Sequence, residues 1–243
     1  MRVDFLRSGR WQKTDSLLTA LGFEELPPKV IASVGAGGKT STMYQLAAEF
    51  AARGKKAAVV TTTHMELPPP DLYFTTDVST AIQKLNEVLF VVVGIPINEK
   101  NFGSLPDAEY QALLSAVDVL LVEADGSKRL PLKVPASHEP VIPAEAEYVI
   151  VVAGLSSVGK AVADTCHRAE LVQAMLETDA AHCITAEDVA LLLRRGYWEP
   201  FVQAAGLRGT VLLNQADSRE EIALGKRICE GLGPIPCVLT KYN

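Results

Sequence analysis

The chain has 243 residues, of which 48% are hydrophobic, and it carries a formal net charge of -6 at pH 7. This length predicts one large α/β domain, or one domain with a small appendage, with ample apolar material for a core. The acidic balance and the lack of a long basic run exclude nucleic acid as a general partner. Because no apolar run approaches the length of a membrane span, no membrane partner is expected either.

The four cysteines, Cys166, Cys183, Cys229 and Cys237, are far apart in the sequence and form no C-x-x-C pair. This spacing argues against a zinc site and against a disulfide framework. Reduced thiols are therefore predicted. Residues 1–10 lack the apolar segment of a signal peptide, and we expect a cytoplasmic protein.

Residues 1–28 are predicted to form an N-terminal helical extension. Residues 15–21 have the pattern of a short helix, with Asp15 as the candidate N-cap and Gly22 as the stop. The pair Pro27-Pro28 then ends this segment, and the main domain is predicted over residues 29–243.

From Lys29 onward, buried-strand patterns alternate with helical ones. Strands are predicted to begin at residue 29 and to cover residues 56–63, 89–95, 118–125, 148–155 and 210–214, with a short edge strand at 237–240. Helices are predicted over residues 39–53, 78–85, 107–116, 167–176, 186–194 and 219–232. Strands that are apolar throughout and alternate with helices indicate an α/β fold, with a mostly parallel sheet covered by helices on both faces.

A Gly-rich segment lies between the first of these strands and its helix. It reads Ser33-Val34-Gly35-Ala36-Gly37-Gly38-Lys39-Thr40-Ser41. Strand, Gly-rich loop and helix form the context of a phosphate-binding loop, in which backbone N–H groups and the helix N-terminus favour an anion. In such a loop Lys39 contacts the terminal phosphates and the Thr40 hydroxyl binds Mg²⁺.

The segment departs from the pattern G-x-x-x-x-G-K-[ST] because Ser33 occupies the position of the first glycine. Gly35 and Gly37, further along the loop, supply backbone flexibility instead. A Gly-rich turn that only packs its helix closely is the alternative. We predict a P-loop NTPase-like domain that binds ATP or GTP with Mg²⁺. Its predicted nucleotide-binding residues here are Gly35, Ala36, Gly37, Gly38, Lys39, Thr40 and Ser41.

Two carboxylates, Glu123 and Asp125, follow the apolar run of the fourth strand. They have the same parity along the strand and so can face one way. In a P-loop NTPase an acidic residue here holds Mg²⁺ or its water shell, and we predict Thr40, Glu123 and Asp125 as the metal site. Lys39, Glu123 and Asp125 are the predicted catalytic residues. A carboxylate that merely caps the next turn is the alternative.

The sixth strand is followed by Asn214-Gln215-Ala216-Asp217. This resembles the N-K-x-D element that reads guanine, with Gln215 in place of the lysine. Asn214 and Asp217 are therefore candidate base-binding residues. Asn and Asp also occur at strand ends simply because they form turns, and that alternative stays open.

Cations and an imidazole follow two other predicted strands. Thr61-Thr62-Thr63-His64 ends the second strand, and Lys128-Arg129 follows the fourth. Because the carboxyl ends of parallel strands meet over one crevice, His64, Lys128 and Arg129 are predicted to bind a second, anionic substrate. Solvated loop charges are the alternative. A metal bound by His64 with His138 is a less favoured hypothesis.

These motifs in this order resemble the YqeC family, which is described as selenium-dependent molybdenum hydroxylase accessory or selenium cofactor biosynthesis proteins. The resemblance covers about residue 29 to the C-terminus and is carried by the segments 34–41, 61–64, 123–128, 138–143 and 167–168. It implies an NTP-binding protein in the maturation of a selenium-containing molybdenum cofactor. It also implies a molybdenum-cofactor or selenium-bearing ligand and a molybdenum hydroxylase partner.

Three functions stay open at this point. The first is an NTP-dependent accessory protein that hydrolyses NTP or transfers a phosphoryl or nucleotidyl group. The second is an ATP-dependent ligase, since residues 35–41 also look like the nucleotide loop of Mur-type ligases, although the chain has no room for their separate substrate domains. The third is a non-catalytic, nucleotide-gated cofactor chaperone.

Overall fold

The computed structural model describes residues 1–7 and 9–241. Its strands are β1 (Arg2–Arg7), β2 (Arg10–Thr14), β3 (Val30–Gly35), β4 (Ala57–Thr61), β5 (His64–Glu66), β6 (Phe74–Thr75), β7 (Val91–Val93), β8 (Ile95–Pro96), β9 (Asn101–Gly103), β10 (Val119–Glu123), β11 (Leu132–Lys133), β12 (Tyr148–Gly154), β13 (Cys166–His167), β14 (Arg208–Asn214) and β15 (Cys237–Lys241). Its α-helices are α1 (Leu17–Leu21), α2 (Lys39–Ala52), α3 (Val78–Lys84), α4 (Asp107–Ala116), α5 (Val162–Thr165), α6 (Ala169–Leu176), α7 (Ala186–Leu193) and α8 (Arg219–Leu232). A 3₁₀ turn covers Leu155–Ser157 and a π-helix covers Arg194–Gln203.

A ten-stranded sheet organises the molecule, in the order β2-β1-β15-β14-β12-β3-β10-β4-β7-β6. All strand pairs from β15 to β6 are parallel, and β1 pairs antiparallel with both β15 and β2. The predicted α/β class with a mostly parallel sheet is confirmed, and the architecture is consistent with a P-loop NTPase-like fold. The carboxyl ends of β14, β12, β3, β10 and β4 therefore lie along one edge.

The register at this edge sets the positions of the polar side chains. Glu123 at the end of β10 pairs with Ser33 on β3 and with Thr61 on β4. The Gly-rich segment, the acidic strand end and the threonine cluster thus meet at one level of the sheet.

The core forms two layers, one on each face of the sheet, because alternate strand residues point to opposite faces. Val30 and Val34 of β3 belong to the layer that α7 and α8 cover, whereas Ile31 belongs to the layer that α1 and α2 cover. Phe50 of α2 is 1% exposed within the second layer. Helices on both faces are therefore confirmed as well.

The N-terminal segment differs from the prediction, since residues 2–7 and 10–14 form two strands rather than a helix. Val3 and Phe5 are buried at a spacing of two residues, which is the strand period, and β1 pairs with β15. This pairing places β15 inside the sheet, so the prediction of an edge strand there is wrong. The short helix is present, but its N-cap is Ser16 rather than Asp15, and Gly22 ends it with a φ of 74°. The domain division at residue 28 stays a prediction.

The prediction of reduced thiols is wrong for one pair, because Cys229 and Cys237 form a disulfide. The chain reverses after α8, which brings β15 back beside the helix with the two Cα atoms 5.9 Å apart. Cys166 and Cys183 are free.

Two small sheets arrange the loops above the carboxyl edge. β5, β9 and β8 form a three-stranded antiparallel sheet, and β11 pairs in parallel with β13. In residues 1–7 and 9–241, none of the helices has both the length and the apolar character needed to cross a bilayer.

Candidate functional site

The Gly-rich loop adopts a conformation that only glycine accommodates at its key positions. Gly35, Gly37 and Gly38 have φ values of 94°, 77° and 120°, in the left-handed region that side chains disfavour. A Cβ on Gly35 would also lie 2.2 Å from the Val152 carbonyl oxygen. The glycines therefore fix a tight path between β3 and α2.

The N–H groups at residues 35–37 are satisfied within the protein. Their acceptors are the Asp125 carboxylate at 3.0 Å, the Val152 carbonyl at 2.9 Å and the Leu130 carbonyl at 3.2 Å, respectively. These bonds hold the loop against its neighbours, and they leave no N–H group of residues 35–37 available to an external ligand.

The N–H groups at residues 38–41 differ, since they belong to the N-cap and first turn of α2. Such groups have no acceptor within their own helix, and α2 has no side-chain cap. None of the hydrogen bonds found across the described residues uses them. By contrast, the N-terminus of α7 is closed by a capping box from Thr185. The first turn of α2 is thus open to an external anion.

Lys39 and Thr40 extend this open turn. The Lys39 Nζ donates to the Gly35 carbonyl at 2.8 Å and to Ser127 Oγ at 3.3 Å. The Thr40 hydroxyl donates to Glu123 Oε2 at 2.8 Å. Burial raises the pKa of Glu123, and the nearby Lys39 and the Thr40 hydrogen bond oppose that rise. The loop thus carries a cation and a hydroxyl–carboxylate pair beside the open N–H groups.

Asp125 lies beneath the loop rather than in front of it. The side chain is fully buried, and Oδ2 accepts from the Gly35 N–H at 3.0 Å and from the Tyr197 hydroxyl at 2.9 Å. The Nζ atoms of Lys39 and Lys133 each lie 3.3 Å from a carboxylate oxygen. These contacts are those of a residue that positions the loop, and the metal role of Asp125 stays a prediction.

Asp125 belongs to a buried charge network that the sequence did not reveal. Lys133 has a fully buried side chain and donates to Gly126 O at 2.6 Å and to Glu139 Oε2 at 2.8 Å. Glu139 also pairs with Arg168. Burial alone would raise the pKa of Glu139, but the hydrogen bonds from Arg168 and Lys133 outweigh it and lower the value to about 2.

The sequence offered a weak signal for part of this network. Lys133 lies between Leu132 and Val134, and an apolar run around a lysine is unusual for a solvated loop. Tyr197 gave no such signal. It lies in the π-helix, and its partner Asp125 is 72 residues away in the sequence. Burial and then the Asp125 charge raise the pKa of this hydroxyl well above its ordinary value, so it stays a donor.

A cavity of about 970 Å³ opens in front of the loop. Its lining includes residues 37–41, Glu123, His64, Glu66, Lys128, Arg129, Arg168 and Gln215. The structure therefore brings the three residues predicted for a second substrate to the same cavity as the open turn. Arg129 is engaged there by Glu66, with Nε 2.7 Å from Oε1.

The predicted base-reading residues are not brought together at the cavity. Asn214 is buried and donates from Nδ2 to the Gly37 carbonyl at 3.1 Å, while its Oδ1 accepts from the Thr240 hydroxyl at 2.8 Å. Asp217 is exposed and, within the part of the chain that is described, does not line the cavity. Asn214 thus holds the Gly-rich loop in place, and Gln215 is the nearby side chain that reaches the cavity.

The residues present suit a magnesium ion carried by a phosphate. Within residues 1–7 and 9–241, no three His, Cys, Asp or Glu side chains form a metal-binding cluster. Mg²⁺ does not require one, because it usually takes one or two protein ligands together with phosphate oxygens and water. Thr40 and Glu123 supply such a pair at the cavity wall.

Comparisons with known proteins agree with the arrangement of motifs. The sequence model of the YqeC family, described as YqeC protein, matches residues 31–170. The Escherichia coli (strain K12) protein described as uncharacterized protein YqeC is 37% identical over 161 residues. That alignment covers 63% of this chain and 62% of the relative, so it spans less than two thirds of the relative's length. No solved structure matches the chain. Because the family match covers more than half of its residues, this chain belongs to the YqeC family.

Proposed function

We propose that the protein binds a nucleoside triphosphate with Mg²⁺ at residues 35–41 and acts as an accessory protein in the maturation of a selenium-containing molybdenum cofactor. Its activity would be hydrolysis of the triphosphate or transfer of a phosphoryl or nucleotidyl group. The observation that carries the nucleotide part is the open first turn of α2, whose N–H groups at residues 38–41 have no acceptor among the described residues and belong to residues that line the cavity.

The physical case for a polyphosphate rests on several donors that converge. Free N–H groups at a helix N-terminus combine hydrogen bonding with the partial positive charge of the helix dipole. Lys39 adds a full positive charge next to them, held within reach by the Gly35 carbonyl. A turn that served only to pack α2 would not need a lysine buried to 3% exposure at this point.

Thr40 and Glu123 are the residues that would hold Mg²⁺. When bound, the ion would neutralise charge on the phosphate oxygens. Glu123 has to lose its proton to bind a cation, and burial raises its pKa. We therefore expect the Mg²⁺ dependence of nucleotide binding to strengthen as pH rises, and to be lost in Glu123→Gln.

The rest of the large cavity is proposed for the second ligand. His64 and Lys128 line it, and Lys128 is exposed there. A molybdenum-cofactor or selenium-bearing anion would suit these groups, and a molybdenum hydroxylase would be the partner that receives it. The pathway itself is supported by the family resemblance, whereas the contacts support only an anionic ligand.

Calorimetry with non-hydrolysable ATP and GTP analogues tests the nucleotide proposal. Lys39→Ala removes a charge-assisted contact to phosphate and should weaken binding about tenfold or more, equivalent to about 1.5–3 kcal/mol. Thr40→Val should weaken binding in Mg²⁺ but change it little in EDTA. Lys55→Ala is the matched control, because this exposed lysine follows the opposite end of α2.

Two results would contradict the proposal. One is unchanged affinity in a folded Lys39→Ala protein. The other is equal weakening by Lys39→Ala and Lys55→Ala, which would indicate a general charge effect. Phosphate release measured without any partner then separates an NTPase from a nucleotide-gated chaperone, since only the first sustains turnover.

A further inference from the structure

A second pocket, of about 490 Å³, adjoins the nucleotide cavity. Its polar lining includes Thr63, His64 and His138, and its apolar lining is Ile95, Ile97 and Val141. We infer that this pocket binds the second substrate, and that this substrate is a small organic anion with an apolar body. The inference rests on the proposed function, in which a triphosphate occupies the neighbouring cavity. It narrows the second ligand from any anion to an organic anion with an apolar body.

The sheet order places this pocket on one particular side of the phosphate loop. β4 and β7 lie on the side of β3 opposite to β14, and the pocket residues at 62–64 and 95–97 directly follow these two strands. Thr40 and Glu123, which would hold Mg²⁺, are on the β10 side as well, and the ion would neutralise charge on the terminal phosphates there. A ligand in the second pocket would therefore meet the terminal phosphate rather than the base.

The two spaces are continuous rather than separate. His64 and Glu139 line both the large cavity and the second pocket. A ligand held by His64 would thus have one end directed to the nucleotide without crossing a wall of protein.

The charges around the pocket favour an anion over a cation. Glu139 is the carboxylate in its lining, and it is already paired with Lys133 and Arg168. The Thr62 hydroxyl donates to the Val141 carbonyl at 2.7 Å. The exposed imidazoles of His64 and His138 can donate to a carboxylate or a similar anion, as can the hydroxyls of Thr63 and Ser104 in the same lining.

The apolar part of the lining favours a ligand with a hydrophobic body. Ile95, Ile97 and Val141 are 37%, 50% and 45% exposed, and they line one pocket from two segments of the chain, 95–97 and 141. Exposed apolar side chains that converge in this way mark a binding surface. The volume lies within the range of about 300–1,000 Å³ that is usual for small-molecule sites.

The small antiparallel sheet keeps the polar and apolar parts in fixed relation. His64 of β5 and Ile95 of β8 both pair with Gly103 of the central strand β9. A Cβ on Gly103 would lie 3.0 Å from Ile97 Cδ1, so the glycine lets this isoleucine pack closely over the strand. The imidazole and the apolar wall are thus set by strand pairing rather than by a free loop.

Saturation-transfer NMR on the full chain with three simple compounds tests this inference. Benzoate has both an anion and an apolar body, benzyl alcohol lacks the charge, and acetate lacks the body. We expect benzoate to bind at least tenfold more tightly than either of the others. The double variant His64→Ala/His138→Ala should lower benzoate affinity at least tenfold, while His182→Ala, a histidine paired with Asp188 elsewhere, should not.

Ile97→Ser tests the apolar wall, and it should weaken benzoate while leaving acetate unchanged. Benzoate should also stay bound when a saturating non-hydrolysable triphosphate is added. Displacement by the triphosphate, or equal benzoate binding in the double histidine variant, would overturn the inference. If benzoate binding depends on the histidines but the protein binds no triphosphate, the pocket stands and the nucleotide proposal fails.

Discussion

Asp125 provides a sharp test of how the Gly-rich loop is supported. Asp125→Asn keeps the shape of the side chain and removes its charge. An amide oxygen at the position of Oδ2 would still accept from the Gly35 N–H and the Tyr197 hydroxyl, which both bind that oxygen now. The amide nitrogen would then replace Oδ1, which lies 3.3 Å from the Lys39 Nζ, and a donor would face an ammonium group.

The expected cost follows from these contacts. Breaking a buried ion pair by removing one partner typically costs about 3–5 kcal/mol, because the other charge is left uncompensated. In Asp125→Asn, the Lys133 ammonium would still lie 2.8 Å from the Glu139 carboxylate. The change at Asp125 therefore leaves Lys133 with a partner, and Lys133 adds little to the loss of stability. We therefore expect a loss near the lower end, about 3 kcal/mol in the free energy of unfolding. For a chain of this size that corresponds to a fall in Tm of about 6–12 °C.

Urea unfolding followed by circular dichroism would measure this loss in the absence of nucleotide. Asp217→Asn is the matched control, since it makes the same change at an exposed carboxylate beyond the end of β14. Adding Lys39→Met to Asp125→Asn should recover part of the stability, as expected for coupled charges in a double-mutant cycle. A loss below about 1 kcal/mol, or no coupling with Lys39, would refute the positioning role and return Asp125 to the metal site.

Three further predictions follow from the loop, the charge network and the disulfide. Asn214→Ala removes the donor to the Gly37 carbonyl and should weaken ATP and GTP analogues equally in calorimetry, whereas a selective loss of GTP would favour guanine reading. The pKa of Glu139 is lowered from 4.5 to about 2. The ionised carboxylate therefore contributes its full share to the free energy of unfolding above pH 4.5, and this share is lost as pH falls toward 2. Urea midpoints between pH 5 and about pH 2 should therefore fall less steeply in Glu139→Gln, and an unchanged slope would contradict this. Removing the disulfide with Cys229→Ser and Cys237→Ser should cost roughly 2–3 kcal/mol, as judged by unfolding with and without reductant.

The Gly-rich loop and the strands around it can be predicted from local sequence. The apolar run before Gly35 and the helical pattern after Lys39 have periods that are visible over a few residues, and β3 and α2 form at those positions. The same holds for β10 and β14, whose bounds agree with the predicted strands to within about two residues. Parallel strands also bring their carboxyl ends together, which is why Glu123, His64 and Lys128 share one cavity.

The errors arise where a residue's role depends on partners far away in the sequence. Equal parity predicted that Asp125 can face the same way as Glu123, and both carboxylates contact the segment 35–40. Because β10 ends at Glu123, the other partners of Asp125 depend on the path of the chain beyond the strand. The chain then places Asp125 beneath Gly35, where Tyr197 contacts it across 72 residues of sequence.

Sequence by itself determined the α/β class, the Gly-rich loop between β3 and α2 and the strand ends that line the large cavity, because each depends on neighbouring residues. Tertiary structure alone decided the strand pairing of residues 2–7 with β15, the burial of Lys133 and the formation of the histidine-lined pocket. Each of these depends on which distant segments pack together. The free energy of that packing comes from contacts between residues far apart in the sequence, which local sequence patterns do not predict.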